Sequence, residues 1–333
     1  MKHCLPLIVV FTVGLWQKSY TQKIKHSHDT SYYAVYPGSL VLRMYYTQKY
    51  SGIEFPSADN STEFKYKPNA NQGIGLGFTY NYFSLNIAFV PSFMNNNEDK
   101  GKSKGFGLQL HGYPHKWAVD IVTGFNQGCY IDPQGYAAPH SDAYYYRPDV
   151  DLNFAGLALY RVPNGDKFSY HAAMTQNEWQ KKSCGSLLYG GQAYYTKLKG
   201  DSNLVPKEVA GSFNESAATD VHVFGIGAGV GYAYTLVAAK RFFLMGSLIL
   251  NANLNFSGES GDSISVHRTT LNPGSIFKTS VGYNGEKWNI SANWTGLSLS
   301  FPSASAEENY KVPAGNFRFI IARRLMVGKH GGQ

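Results

Sequence analysis

The sequence predicts an all-β protein, a transmembrane antiparallel up-and-down β-barrel of about twelve strands, with fourteen as the alternative count. Three observations carry this. Hydropathy alternates with period two over segments of about 9–13 residues, longer than the usual globular strand and long enough to cross a bilayer at a tilt. Only 16% of the 333 residues are charged, while 15% are aromatic, and a soluble domain carries roughly 25% charge. Connections alternate between a few residues and a dozen or more, the habit of barrels with short periplasmic turns and long external loops. No apolar run reaches the ~18 residues of a membrane helix, so any crossing falls to strands.

The chain opens on a leader. Lys2 and His3 give a positive start, residues 5–16 are apolar, and Ser19 and Thr21 are small residues placed for cleavage near Gln22. The reading is a signal peptide over 1–21, a periplasmic N-terminal segment over 22–38, a barrel over 39–325 and a tail over 326–333. Cys4 leaves with the leader, which leaves Cys129 and Cys184. Whether they pair stays open, because sequence does not show proximity. Loss of Lys2 and Lys18 lowers the net charge from +8 to +6. The remaining basic residues are scattered and form no nucleic-acid module. No nucleic acid is expected as a partner, and loop lysines suit anionic lipid headgroups.

Residues 242–256 show the pattern best. Phe242, Leu244, Leu248, Leu250, Leu254 and Phe256 share one face, and Ser247, Asn251, Asn253 and Asn255 the other. A helical period would mix the two sets, whereas a strand separates them. Segments 40–46, 74–80, 83–89, 106–111, 117–125, 150–154, 168–174, 224–234, 288–295 and 317–321 repeat the alternation. Aromatics at segment ends (Tyr82, Phe83, Tyr113, Trp117, Phe242, Phe243, Trp288) suit interfacial girdles. Short turns fall at 82–83, 113–116, 163–166, 238–241 and 284–287. Long loops fall at 51–70, 91–103, 131–148, 199–218, 257–273 and 301–314. With two further segments beside the eleven named, the count is thirteen, an odd number where bacterial barrels have an even one. The parity breaks around 175–195, so one segment there is either not a spanning strand or lacks a partner not yet recognised.

Several stretches also resemble a known family. These are Asp29-Thr30-Ser31-Tyr32, Lys67-Pro68-Asn69 before Gly75-x-Gly77-Phe78, Phe168-Ser169 with Ala172-Ala173, and Gln180-Lys181-Lys182-Ser183-Cys184-Gly185-Ser186. Together they resemble the outer-membrane family numbered 4421 among the domains of unknown function, found in Bacteroidota. The resemblance spans most of the mature chain. It implies an outer-membrane β-barrel and brings no activity, substrate or catalytic residue.

Alternation assigns Arg43, Gln109, His111, Asp120, Asp151, Asn251, Asn253, Asn255, Asn289, Asn293 and Arg318 to the lumen. Closure between first and last strands brings Arg43 toward Arg318, and buried charges need partners, for which Asp120 and Asp151 are the candidates. These residues make either a structural salt network or a constriction that selects solutes. His111 and His115 are separated by a turn, so they are not a helical metal pair, and His26 and His28 lie in the N-terminal segment. No metal or cofactor is expected. Ser183, Ser186 and His171 lack a spacing that compels a catalytic pair, so the chain is read as a non-enzyme. Gly225, Gly227, Gly229 and Gly231 recur every second residue within a strand and mark close approach, not a nucleotide loop. The functional expectation is a porin-like narrow channel for small solutes in the outer membrane of a Gram-negative cell, reached by signal-dependent export. The alternative is a structural or adhesive barrel whose loops, with Tyr144-Tyr145-Tyr146, bind partners, and a third reading, ranked below both, is a lipid-modifying outer-membrane enzyme dependent on Ser183 or Ser186. Outer-membrane lipids are the expected contacts, small solutes are candidates, and protein partners are unassigned.

Overall fold

The computed structural model describes residues 28–326 apart from 56–62, 70–71, 81–82, 90, 95–97, 115, 214–216 and 304–308. The leader, its cleavage site, His26, Tyr82, His115 and the tail from 327 lie outside the described residues. In chain order the strands are β1 (Tyr33–Val35), β2 (Ser39–Ser51), β3 (Ile53–Phe55), β4 (Phe64–Lys67), β5 (Gln72–Tyr80), β6 (Phe83–Phe89), β7 (Lys104–Gly112), β8 (Trp117–Asp132) and β9 (Tyr146–Arg161). After the short helix α1 (Tyr170–Met174) come β10 (Glu178–Gln180), β11 (Cys184–Lys199), β12 (Asp220–Ala238), β13 (Phe242–Ser260), β14 (Ser265–Asn284), β15 (Trp288–Pro302) and β16 (Asn309–Met326).

Twelve of these strands close a ring in the order β2, β5, β6, β7, β8, β9, β11, β12, β13, β14, β15, β16. The last strand returns to the first, with Met326 opposite Ser39 and Ala314 opposite Ser51. The odd count in the sequence has a local cause. Residues 168–174, expected as a strand, form α1 instead. Ser169 caps the helix by accepting from the Ala172 amide at 3.0 Å, and five residues are too few to display a 3.6-residue period. A second difference lies at 257–273, expected as a long loop. There β13 and β14 continue in register to Ser260 opposite Ser265, and β12 runs beside β13 to the same level, with Asp220 opposite Ser260.

The outer face carries Leu42, Met44, Leu76, Ile121, Leu157, Leu187, Ile226, Leu248, Leu250, Val281, Ile290 and Ile321, all large, apolar and exposed. So continuous an apolar belt is untenable in water and is what a bilayer solvates. Closure of the ring gives each of its strands a neighbour on both sides. Trp117 and Trp288 stand exposed at the short-turn rim, with Arg161 and Arg323 5.0 and 5.2 Å from their ring centres. Tyr113 and Phe243, also expected in the girdle, are buried on the lumen side, where they pack beside Tyr170 of α1.

Two departures from a plain barrel fill its interior. At the long-loop end the chain leaves the wall after Gly52, where a Cβ would meet the Tyr66 carbonyl oxygen at 2.8 Å. The β3–β4 hairpin then bridges from β16 to β8 above the short strands β5, β6 and β7. Its Ile53, Phe55, Phe64 and Tyr66 are fully buried against Ile131, Leu152, Leu198, Phe213, Phe301 and Tyr310. At the short-turn end, residues 162–183 fold inward as a plug, and β1 adds a strand to β10.

Candidate functional site

The lumen has three layers. The upper layer is the apolar cap just described. It explains why Asp151 is misassigned. On β9 the buried face carries Val150, Leu152 and Ala158, and Asp151 shares the outward parity of Leu157 and Leu159. It sits opposite Lys199 and Gln127 at the outer rim. A polar-inside rule inverts here because this part of the interior is a hydrophobic core.

The lower layer is the plug, and the family-like motifs build it. Gln180 accepts from the Ser169 amide at 2.9 Å and donates to the carbonyls of Lys167 (2.7 Å), Lys182 (3.1 Å) and Tyr32 (3.3 Å). Asp29 accepts from the Ser31 amide and hydroxyl at 3.0 and 2.6 Å. Arg43 anchors the plug to the wall, donating to the Thr175 carbonyl (2.8 Å), Thr79 Oγ1 (2.6 Å) and Ser84 Oγ (2.7 Å). Arg324, which the sequence did not single out, donates to the Gln176 carbonyl (2.7 Å), Gly285 carbonyl (2.5 Å) and Asn284 Oδ1 (2.5 Å). Arg43 is therefore partnered by neutral acceptors and not by a carboxylate.

Burial pushes the Glu178 carboxyl up to about 7, against a hydrogen bond donated by Ser169 Oγ. Burial pushes His171 down to about 4, against hydrogen bonds to the Tyr113 backbone and the Asn177 side chain. The linkage signs oppose each other. Docking loses stability through Glu178 as pH rises from 4.5 to about 7, and through His171 as pH falls from 6.5 to about 4. Each effect is on the order of 3 kcal/mol. Between 4.5 and 6.5 the slopes cancel, so plug protection should be nearly flat with pH. Glu178→Gln should expose acid sensitivity, and His171→Phe should expose loosening toward neutral pH. Hydrogen exchange over residues 168–180, corrected for intrinsic rates, reads both.

The middle layer holds a cavity of about 190 Å³. Lys49, Gln109, His111, Asp120, Gln192, Lys278 and Asn316 line it, together with Phe154, Ile276 and Leu297. Asp120 pairs with Lys278 and receives His111 Nδ1 at 2.6 Å. It is not the partner of Arg43 or Arg318. Arg318 donates to Gln109 Oε1 and lies 5.1 Å from the Tyr45 ring centre. Lys49 has no carboxylate and no hydrogen-bond acceptor among the described residues. This level of the lumen thus holds three cations, Lys49, Lys278 and Arg318, and one acid, Asp120, whose contacts are Lys278 and His111. Continuing the β2 alternation through Arg43, Tyr45 and Thr47 reaches Lys49, and that signal was available in the sequence. Lys278 was hidden by the loop expected up to residue 273.

The asparagines are structural. Tyr160 donates to Asn251 Oδ1 at 2.5 Å, Gln192 to Asn253 Oδ1 at 2.8 Å and Tyr194 to Asn255 Oδ1 at 2.5 Å. Their amides lie across the β12 glycines: a Cβ on Gly225 would come within 2.7 Å of Asn255 Oδ1, and Gly227 and Gly229 face Asn253 and Asn251 as closely. Ser280 donates to Asn293 Oδ1 at 2.7 Å. Asn289 is fully buried with no side-chain partner among the described residues. Ser183 Oγ accepts from the Val237 amide at 2.9 Å, and Ser186 Oγ from the Asn164 amide at 3.1 Å. Neither meets His171, whose Nδ1 lies 2.8 Å from Thr175 Oγ1. Cys129 is buried in the cap, Cys184 lies at the start of β11 by the plug, and both thiols are free.

The family model described as a domain of unknown function (DUF4421) matches residues 27–320. No curated protein matches the chain. Among solved structures, the outer-membrane protease OmpT of Escherichia coli is 8% identical, with 88% of this chain and 98% of that chain covered and a TM-score of 0.36. The β domain of the Bordetella autotransporter BrkA is 10% identical over 86% of this chain and 99% of that chain, TM-score 0.36. Neisserial surface protein A is 10% identical over 88% of this chain and 99% of that chain, TM-score 0.22. Overlaps this loose carry no activity across.

Proposed function

The chain belongs to the DUF4421 family, which brings no activity with it, and we propose from the lumen itself that the protein binds a small anionic solute in the mid-barrel cavity as part of moving it through the outer membrane. One observation carries the reading. Lys49 lines the cavity with no hydrogen-bond partner among the described residues, while the one carboxylate there, Asp120, is engaged by Lys278 and His111, and a buried cation without a partner is costly. An anion supplies that partner. The closed ring and the apolar belt support the outer membrane as its site. Export through the leader at 1–21, the periplasmic segment and a Bacteroidota source belong to the same proposal. Because the cap and the plug fill both ends of the lumen, this reading makes the barrel a binding device whose passage is shut in the present state, not a standing pore. Partner binding through the loop tyrosines is less favoured. Tyr144 flanks Lys100 at 4.9 Å, and Tyr146 Oη donates to the Lys102 carbonyl at 2.5 Å, so both are engaged within the molecule.

Calorimetric titration of the folded barrel with benzoate, benzyl alcohol and benzylamine tests this. Benzoate should bind and benzylamine should not, and Lys49→Met should weaken benzoate at least tenfold, about 1.4 kcal/mol. Equal behaviour of the three probes, or an unchanged benzoate affinity in the variant, overturns the proposal.

A further inference from the structure

The wall of the ring is uneven. β12 and β13 share nineteen register pairs, whereas β6 and β7 share two, Leu85 with Leu110 and Asn86 with Gln109. Beyond these, among the described residues, 87–89 of β6 pair only with β5, and 104–108 of β7 only with β8. Unpaired backbone in hydrocarbon costs several kcal/mol per group, so a seam left unzipped at membrane depth is a costly feature.

The gap is framed. Below it stand the two register pairs. Above it, the Asn69 amide donates to Ser103 Oγ at 2.6 Å, Asn69 Nδ2 to the Gly101 carbonyl at 2.7 Å, and Ser103 Oγ to the Gly128 carbonyl at 2.6 Å. Lys67 pairs with Asp132 at 2.7 Å beside them. The Lys67-Pro68-Asn69 stretch thus fixes an upper sill without closing the seam. Behind the gap β7 turns Gly105 and Gly107 to the lumen, and a Cβ on Gly107 would lie 3.5 Å from Lys49 Nζ. The cavity wall includes Lys49, Pro68, Gly105 and Gly107, so the cavity reaches the gap. Phe89, Phe93 and Phe106, on or just beyond the two strands, are 61, 70 and 66% exposed.

We propose that the β6–β7 seam is a lateral portal through which an anionic single-chain amphiphile passes from the membrane into the cavity. Its headgroup meets Lys49, and its chain lies against Phe154, Ile276 and Leu297. The inference rests on the anion-binding reading above and adds the route and the ligand class. The filled ends leave the wall as the available entrance, the phenylalanines give it an apolar lip, and the glycines leave room in front of the ammonium group.

The test uses the full chain in phospholipid vesicles carrying 11-(dansylamino)undecanoic acid, with dansyl emission reporting transfer into the barrel. In a Cys184→Ser background, Phe89→Cys and Phe106→Cys are bridged by a short bis-methanethiosulfonate reagent and released by reductant. Bridging should slow uptake at least tenfold and reduction should restore it. Gly107→Leu, which narrows the portal without a crosslink, should slow uptake in the same direction. Unchanged uptake in both the bridged protein and Gly107→Leu, with benzoate still bound, overturns the portal alone. Loss of all binding of benzoate and of the dansyl probe to the parent protein overturns the cavity reading and the portal with it.

Discussion

Lys278→Ala is expected to destabilise the folded barrel by about 3–5 kcal/mol. Lys278 pairs with Asp120, a residue 158 positions away in sequence, and both side chains are about nine-tenths buried. Its ammonium also lies 5.4 Å from the ring centres of Tyr113 and Tyr170, so one side chain joins the cavity floor to the plug. Removing it leaves the Asp120 carboxylate buried with only His111 beside it. The loss is therefore that of an uncompensated charge and not of a single contact. Asp120→Asn with Lys278→Met removes both charges and should recover most of the stability, because a buried pair replaced by matched neutral groups is often neutral. Urea titration of the refolded protein in vesicles reads all three. A mild single variant would place Asp120 in contact with bulk water.

Phe64→Ala is expected to cost a further-reaching 3–5 kcal/mol through the cap. Phe64 stacks on Phe55 with ring centres 4.8 Å apart, meets Phe213 edge-on at 5.0 Å and lies 5.6 Å from Tyr136. These partners come from β3 of the same hairpin, the 200–219 loop and the 133–145 loop, so the ring ties two loops to the hairpin that roofs the lumen. Truncation leaves a cavity whose walls are held by separate strands and collapse poorly. The same urea titration gives the cost. Protease cleavage within 200–219 should accelerate while the strands resist, which separates loss of the cap from loss of the barrel.

The wall was legible in the sequence where lipid faces one side and polar lumen the other. Residues 242–256 show this, with Leu248 and Leu250 out and Asn251 and Asn253 in. Reading failed where the lumen is apolar. Val150 and Leu152 on β9, Val221 and Val223 on β12, and Phe301 on β15 are inward apolar residues of the cap, and alternation alone does not say which face is which. Asp151 was misplaced for that reason. The faces of Arg43, His111, Asp120 and Arg318 followed from alternation, but their partners did not. Lys278, the Thr175 carbonyl and Gln109 reach them across the barrel and not along a strand. The plug was visible only as a break in parity. Its helix is too short for a period, and its hydrogen bonds connect Tyr32 to Gln180 across 148 positions.

Single-channel recording of the refolded, heat-modifiable barrel in a planar bilayer tests the closed binding barrel most directly. With the cap and the plug both in place, the account predicts a silent membrane at voltages where porins conduct. Discrete, salt-dependent steps from the unmodified protein would contradict it, because they require a water-filled path through layers that the structure fills with Phe55, Phe64 and Tyr66 at one end and Tyr170 and Arg324 at the other.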